Sequence, residues 1–257
     1  MRAAVRLLAL GWLFHLKMLS RSAFDGLLGV TWPLFFATVA FFMFRAGGEE
    51  QTLLYASLGA AVMGIWSMTS TSAGSALQRE RWHGTLELLV AAPANFALIL
   101  LPLTIAMSTI GAYCLVATLL WGRVLFGIEL QVEQPLLFAV SIVAAVVSIG
   151  ALGFLLAVSF VRYRFAWALG NLFEYPVWLI CGFLVPLSLL PGWVQPISWV
   201  LAPTWGVRAI RESALGGSPL PDVFLCLGLG AAYVLVGVLV LDTVLRAARA
   251  RAALSLT

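Results

Sequence analysis

Polar and apolar positions in this chain segregate by whole segments, not residue by residue. Uncharged, mostly apolar runs occupy residues 26–44, 51–78, 88–122, 134–161, 175–207 and 223–241. Each is near or above the about 20 residues with which a helix crosses a bilayer. The fifth run starts late because Glu174 interrupts it, so its helix extends back to about Phe165, just behind Arg162 and Arg164. The pattern predicts an all-α polytopic membrane protein with six transmembrane helices, forming a single transmembrane domain over residues 1–257.

Two segments outside the simple runs have patterns of their own. In residues 1–22 the charges are spread throughout and no apolar core with a cleavage site follows, so the segment does not read as a signal peptide. At about 100° per residue, Arg2, Arg6, Lys17 and Arg21 fall on one arc, with Leu8, Trp12, His15 and Leu19 elsewhere on the wheel. That is the pattern of an N-terminal amphipathic helix lying in the inner interface against membrane lipid. A frayed basic tail that only fixes topology is the other reading. In residues 186–221, Pro186, Pro191, Pro196 and Pro203 rule out one straight helix, yet the stretch is too apolar for a solvated loop. Irregular backbone at membrane depth is tolerated when buried in protein or lining water. A broken, re-entrant outer element of two short helical pieces is expected before the last helix, ending in the basic pair Arg208 and Arg211.

Finer signals concern packing. Small residues four apart, Ala144 and Ser148, Ala166 and Gly170, Gly228 and Ala232, would let helices approach closely in lipid. The hydroxyl-rich run from Ser67 to Ser75 either lines a path or bonds its own helix backbone, and the second is expected.

Composition strengthens the membrane reading and charge orients it. The chain is 62% hydrophobic and 10% charged, with a mean hydropathy of +1.03, against an apolar share of about 45–50% in soluble domains. Six crossings place Arg2, Arg6, Lys17, Arg21, Arg79, Arg81, Arg162, Arg164, Arg246, Arg249 and Arg251 on one side and only Arg45, Arg123, Arg208 and Arg211 on the other. Basic loops stay in the cytoplasm, so both termini are expected there. The net charge of +4 then reports topology and attraction to anionic lipid. No nucleic-acid partner is expected, because no soluble segment interleaves a basic patch with aromatics. Cys114, Cys181 and Cys226 all lie in apolar runs and read as small hydrophobes.

Several chemistries lack their residues. A Walker-type phosphate loop ends in Gly-Lys-Ser/Thr, whereas the only lysine, Lys17, precedes Met18. His15 and His83 have neither the spaced partners of a zinc site nor a protected serine for a triad. No catalytic residue, metal or cofactor is expected on this chain, and any driving chemistry belongs to another polypeptide.

The polar island Gln78–Pro93, QRERWHGTLELLVAAP, separates the second and third runs on the side assigned to the cytoplasm. Alternating charges beside Trp82, Leu86, Leu88 and Leu89 suit a short amphipathic helix that docks in a groove on a soluble partner. Gly84 can end one turn and Thr85 can cap the next. Glu80, Arg81, Gly84, Thr85, Leu86, Glu87 and the closing Pro93 resemble the Glu-Arg-x-x-Gly-Thr-Leu-Glu element of type-2 ABC transporter permeases, the membrane halves of drug, polysaccharide and lipid exporters. That family often carries another acid where Trp82 stands. Pro186, Leu190, Pro191, Trp193, Pro196, Pro203, Thr204 and Arg208 are similar to the same family's proline-rich outer element. The resemblance covers essentially the whole chain. It implies that residues 78–94 form a cytoplasmic coupling helix in which Glu80, Arg81, Trp82, Gly84, Thr85, Leu86 and Glu87 meet an ABC ATPase subunit holding ATP and Mg. It also implies a bacterial cell membrane and export of a drug-like, lipid or glycoconjugate substrate. Two copies, or this chain with a related permease, would make the working unit, since six helices leave little room for a large cargo.

A candidate path lies on the fifth helix, where Trp167, Asn171, Glu174, Tyr175, Trp178 and Gly182 share about 100° of arc. Glu174 sits about 15 Å inside the inner edge, where an ionisable group is by default a functional hypothesis. Asn171, Glu174, Tyr175 and Trp178 either line a substrate cavity or, in the case of Glu174, bond within the subunit to the Ser/Thr run of helix two. A rival function, ion channel or proton-coupled carrier with Glu174 as relay, lacks further acids within the spans.

Overall fold

The structure, a computed structural model, describes residues 2–21, 31, 33–39, 41–42, 50–82, 84, 96–128, 131–160 and 166–251. The elements are α1 Arg2–Leu19, α2 Glu50–Trp82, α3 Ala97–Phe126, α4 Pro135–Phe160, α5 Ala166–Ile180, a 3-10 turn Leu187–Leu189, α6 Val194–Trp199, α7 Ala202–Leu215 and α8 Pro219–Arg251. Residues 33–39 and 41–42 are also helical. No strand occurs among the described residues.

Among the described residues, four segments are long and apolar enough to cross a membrane: Leu53–Thr71, Ala97–Phe126, Pro135–Phe160 and Pro219–Thr243. The other two expected crossings differ. The first run, 26–44, is described only in part, helical at 31, 33–39 and 41–42, and α5 has 15 described residues, about 22 Å of helix against a hydrocarbon core of about 30 Å. Its end has a clear cause. Gly182, at a φ of 72°, accepts the left-handed conformation that L side chains resist. The Gly182 and Phe183 N–H groups then turn back to the Leu179 and Trp178 carbonyls, closing a Schellman motif. The third helix likewise starts at Ala97, later than its apolar run.

α2 is the central element, packed on α3, α4, α5 and α7. Between apolar helices in lipid, association depends on close packing, so small residues sit where backbones meet. A methyl group at Gly64 would stand 2.4 Å from Cys114 Cβ of α3, and one at Gly153 of α4 would stand 2.4 Å from Thr69 Cγ2 of α2. Of the three small pairs in the sequence, two act this way: Ser148 meets Gly230 of α8, and Gly170 of α5 lies against the Ser70 carbonyl of α2. The third does not, because Gly228 has nothing within reach of its Cβ position and Ala232 is exposed. The hydroxyls of α2 bond their own helix as expected, Thr69 to the Ile65 carbonyl, Thr71 to that of Ser67 and Ser70 also to that of Ser67.

α1 lies on α3 through Leu8, Trp12 and His15, and Trp12 Nε1 donates to Thr109 Oγ1 at 3.1 Å. Arg6 and Lys17 are exposed on the opposite arc. An ordered, packed helix replaces the alternative of a frayed tail.

The proline-rich stretch breaks as expected, into the 3-10 turn, α6 and α7. Pro186 and Pro191 precede helical turns, while Pro196 and Pro203 occupy first turns, where a missing N–H is harmless. Residues 181–201 form an elbow between α5 and α7. The α3–α4 loop is fastened beside it, with the Glu133 and Gln134 N–H groups donating to the Ala214 and Ser213 carbonyls. Tyr55, the α3–α4 loop and the elbow therefore share one end of the bundle.

Candidate coupling and transport sites

Beyond the apolar window that closes at Thr71, α2 continues for 11 residues to Trp82, about 16 Å of helix, with Ala73 still buried against Phe96, Ala97 and Leu100. This tip carries Gln78, Arg79, Glu80 and Arg81, which are helical. Trp82 is 79% exposed, and Gly84, at a φ of 67°, has none of the described residues within 4 Å of its Cβ position. Thr85, Leu86, Glu87 and Pro93 lie outside the described residues, as does His83. Trp82, the last residue of α2, is thus a large aromatic that the described residues leave mostly uncovered. No break separates this tip from the packed part of the helix.

The expected polar face of α5 does not form one open surface. Glu174 and Trp178 are buried, Asn171 is half-buried and Tyr175 is exposed. The backbone carbonyl of Glu174 accepts from Trp66 Nε1 at 3.2 Å, and its carboxyl faces the Ser67 hydroxyl, which has no partner of hydrogen-bond geometry. Trp178 Nε1 is also buried without a partner. Its ring packs edge-on against Phe36 and Tyr175, each at 4.9 Å. Gly182, placed on this face by the wheel, serves instead as the left-handed cap of the helix. The wheel face is therefore divided between the buried Glu174 and Trp178 and the exposed Tyr175.

Sequence reasoning missed the role of Arg211, counting it only as one of the basic pair that ends the broken element. Arg208 is half-exposed, with its Nε 3.3 Å from Asp222 Oδ2 and its guanidinium over the Trp205 ring. Arg211 is only 5% exposed. Its Nε donates to the Tyr55 carbonyl at 3.2 Å, Nη1 to that of Gly182 at 2.8 Å and Nη2 to that of Phe183 at 2.5 Å. The guanidinium carbon lies 3.5 Å from the centre of the Tyr55 ring, a stacked cation–π contact. Loss of water pulls its pKa down to about 10, which leaves it charged at neutral pH. Among the described residues no carboxylate comes within ion-pair distance of it. Because carbonyl partners leave no trace in composition, only its 3.6-residue spacing from Val207, Ala214 and Thr204 on the inner face of α7 could have betrayed it.

Residues 6–215 match the family model of the ABC-2 type transporter. The chain belongs to that family. The matched stretch opens within α1 and closes at the last residue of α7, so tip, α5 and elbow all fall inside it. No curated protein matches the chain in sequence. As an ABC-2 type permease the chain is a multi-pass membrane protein and a transport subunit.

Proposed function

We propose that this permease exports a drug-like, lipid or glycoconjugate substrate from a bacterial cell, powered by a separate ABC ATPase that docks on residues 78–94. The observation carrying this reading is the end of α2, where an exposed Trp82 follows the charged pair Glu80 and Arg81 on one unbroken helix. Thr85, Leu86 and Glu87 complete the docking surface, and ATP and Mg bind on the partner. Six crossings, cytoplasmic termini and a pair of permeases per complex belong to the same reading. Asn171 and Tyr175, which keep accessible surface, are the residues of α5 that meet substrate. The burial of Glu174 against Trp66 and Ser67 supports an anchoring role within the subunit.

Co-purification with the ATPase encoded beside this permease tests the docking surface. Trp82→Ala should weaken binding by about 2 kcal/mol, roughly 30-fold, as central aromatic anchors do. Glu80→Ala with Glu87→Ala should weaken it further. Unchanged capture by all three substitutions together places the contact elsewhere.

A further inference from the structure

Arg211 joins parts of the chain that are distant in sequence, and each of its partners belongs to a different structural role. The Gly182 and Phe183 carbonyls lie just past the end of α5, where helix geometry leaves carbonyls without intrahelical partners. The Tyr55 carbonyl and ring belong to the first turns of α2. Gly59, one turn further on, provides the space: a Cβ there would stand 1.7 Å from the Phe183 oxygen and 2.3 Å from Arg211 Nη2. From Tyr55 to Trp82 the helix runs unbroken for about 40 Å. One end of this rod is thus gripped to the elbow, and the other ends at the exposed Trp82.

We infer that Arg211 is a positioning residue for transport, which makes the elbow follow α2 when force is applied at the tip. The inference rests on the proposed docking of an ATPase at residues 78–94. Three fixed carbonyls and a stacked ring hold a planar guanidinium in one orientation, which an ammonium or an amide cannot reproduce. A shift of α2 along its axis, or a tilt about its packed middle, must carry Phe183 with it or break all of these contacts together. The elbow is held separately to α8, where the Tyr233 hydroxyl donates to the Val200 carbonyl and accepts from Ala202 N–H. Movement is therefore focused on the segment between these two ties, residues 183–200.

Spin labels on Ser188 in the elbow and Leu220 at the start of α8, both exposed, read this movement without knowledge of the substrate. Cys114, Cys181 and Cys226 are buried and stay unlabelled. The complex with its ATPase is measured with and without ATP and vanadate, and ATP hydrolysis is recorded in parallel. Trapping should shift the wild-type distance by several Å. Arg211→Gln should lose most of that shift while hydrolysis stays within about twofold, and Arg211→Lys should be intermediate. A full shift in Arg211→Gln, or hydrolysis without any shift in the wild type, overturns the inference. If Arg211→Gln does not assemble, Gly59→Ala takes its place, since it displaces the elbow and keeps the charge. Failure of both to assemble makes the contact a folding requirement only and also overturns the assignment. No response of any protein to ATP overturns the docking reading itself.

Discussion

At the scale of residues, the space given to a side chain separates positions that look alike in sequence. Gly170 and Gly228 are both glycines within apolar helices. A methyl at Gly170 would lie 2.5 Å from the Ser70 carbonyl oxygen, a backbone atom of α2 that cannot swing away, whereas Gly228 meets nothing. Gly170→Ala should therefore destabilise the subunit by about 1–3 kcal/mol through overpacking. Gly228→Ala should be neutral or stabilising by up to about 1 kcal/mol, since alanine is the better helix former. Thermal unfolding of the two purified variants in detergent checks this, and equal melting temperatures would contradict the α2–α5 contact. The same scale explains why Arg211 was illegible. Its partners are carbonyls of Tyr55, Gly182 and Phe183, groups that every residue carries, so no complementary acid announced them.

At the scale of elements, breaks matter as much as helices. Pro186, Pro191 and Pro203 fixed the elbow's segmentation in advance, because proline forbids a continuing helix and suits a first turn. α4 was equally legible: Pro135–Phe160 nearly coincides with the uncharged run 134–161, bounded by Glu133 and Arg162. α5 was not, because Cys181, Phe183 and Leu184 continue the apolar run past a helix that Gly182 has already ended. Hydropathy records burial, and both helix and buried elbow are apolar. The tie of α6 and α7 to α8 gives a direct check. Tyr233→Phe removes the acceptor of Ala202 N–H and the donor to the Val200 carbonyl, leaving the buried Ala202 N–H unpaired at about 1–3 kcal/mol. Amide exchange at Ala202 should accelerate roughly tenfold or more while α2 keeps its protection. Unchanged exchange at Ala202 would show that the hydroxyl holds nothing there.

At the scale of the molecule, the described helices form one bundle around α2, whose apolar window is 83% buried while that of α8 is 28% buried. A nearly enclosed, unbroken central helix is suited to carry motion between its two ends. Side-chain periodicity foretold the amphipathic α1, but not that the elbow is tied to the first turns of the helix that ends at Trp82, since that depends on the contacts of Arg211 with Phe183 and Tyr55, 28 and 156 residues apart in the chain. The central claim is that work enters from another polypeptide at the tip of α2. A photoreactive amino acid placed at position 82 in growing cells tests it most directly. Irradiation should give a covalent adduct with an ABC ATPase subunit, identified by mass spectrometry, at higher yield than the same group placed at the lipid-exposed Phe224. Adducts with lipid alone, or labelling of position 82 by a reagent confined to the outside of the cell, would contradict it.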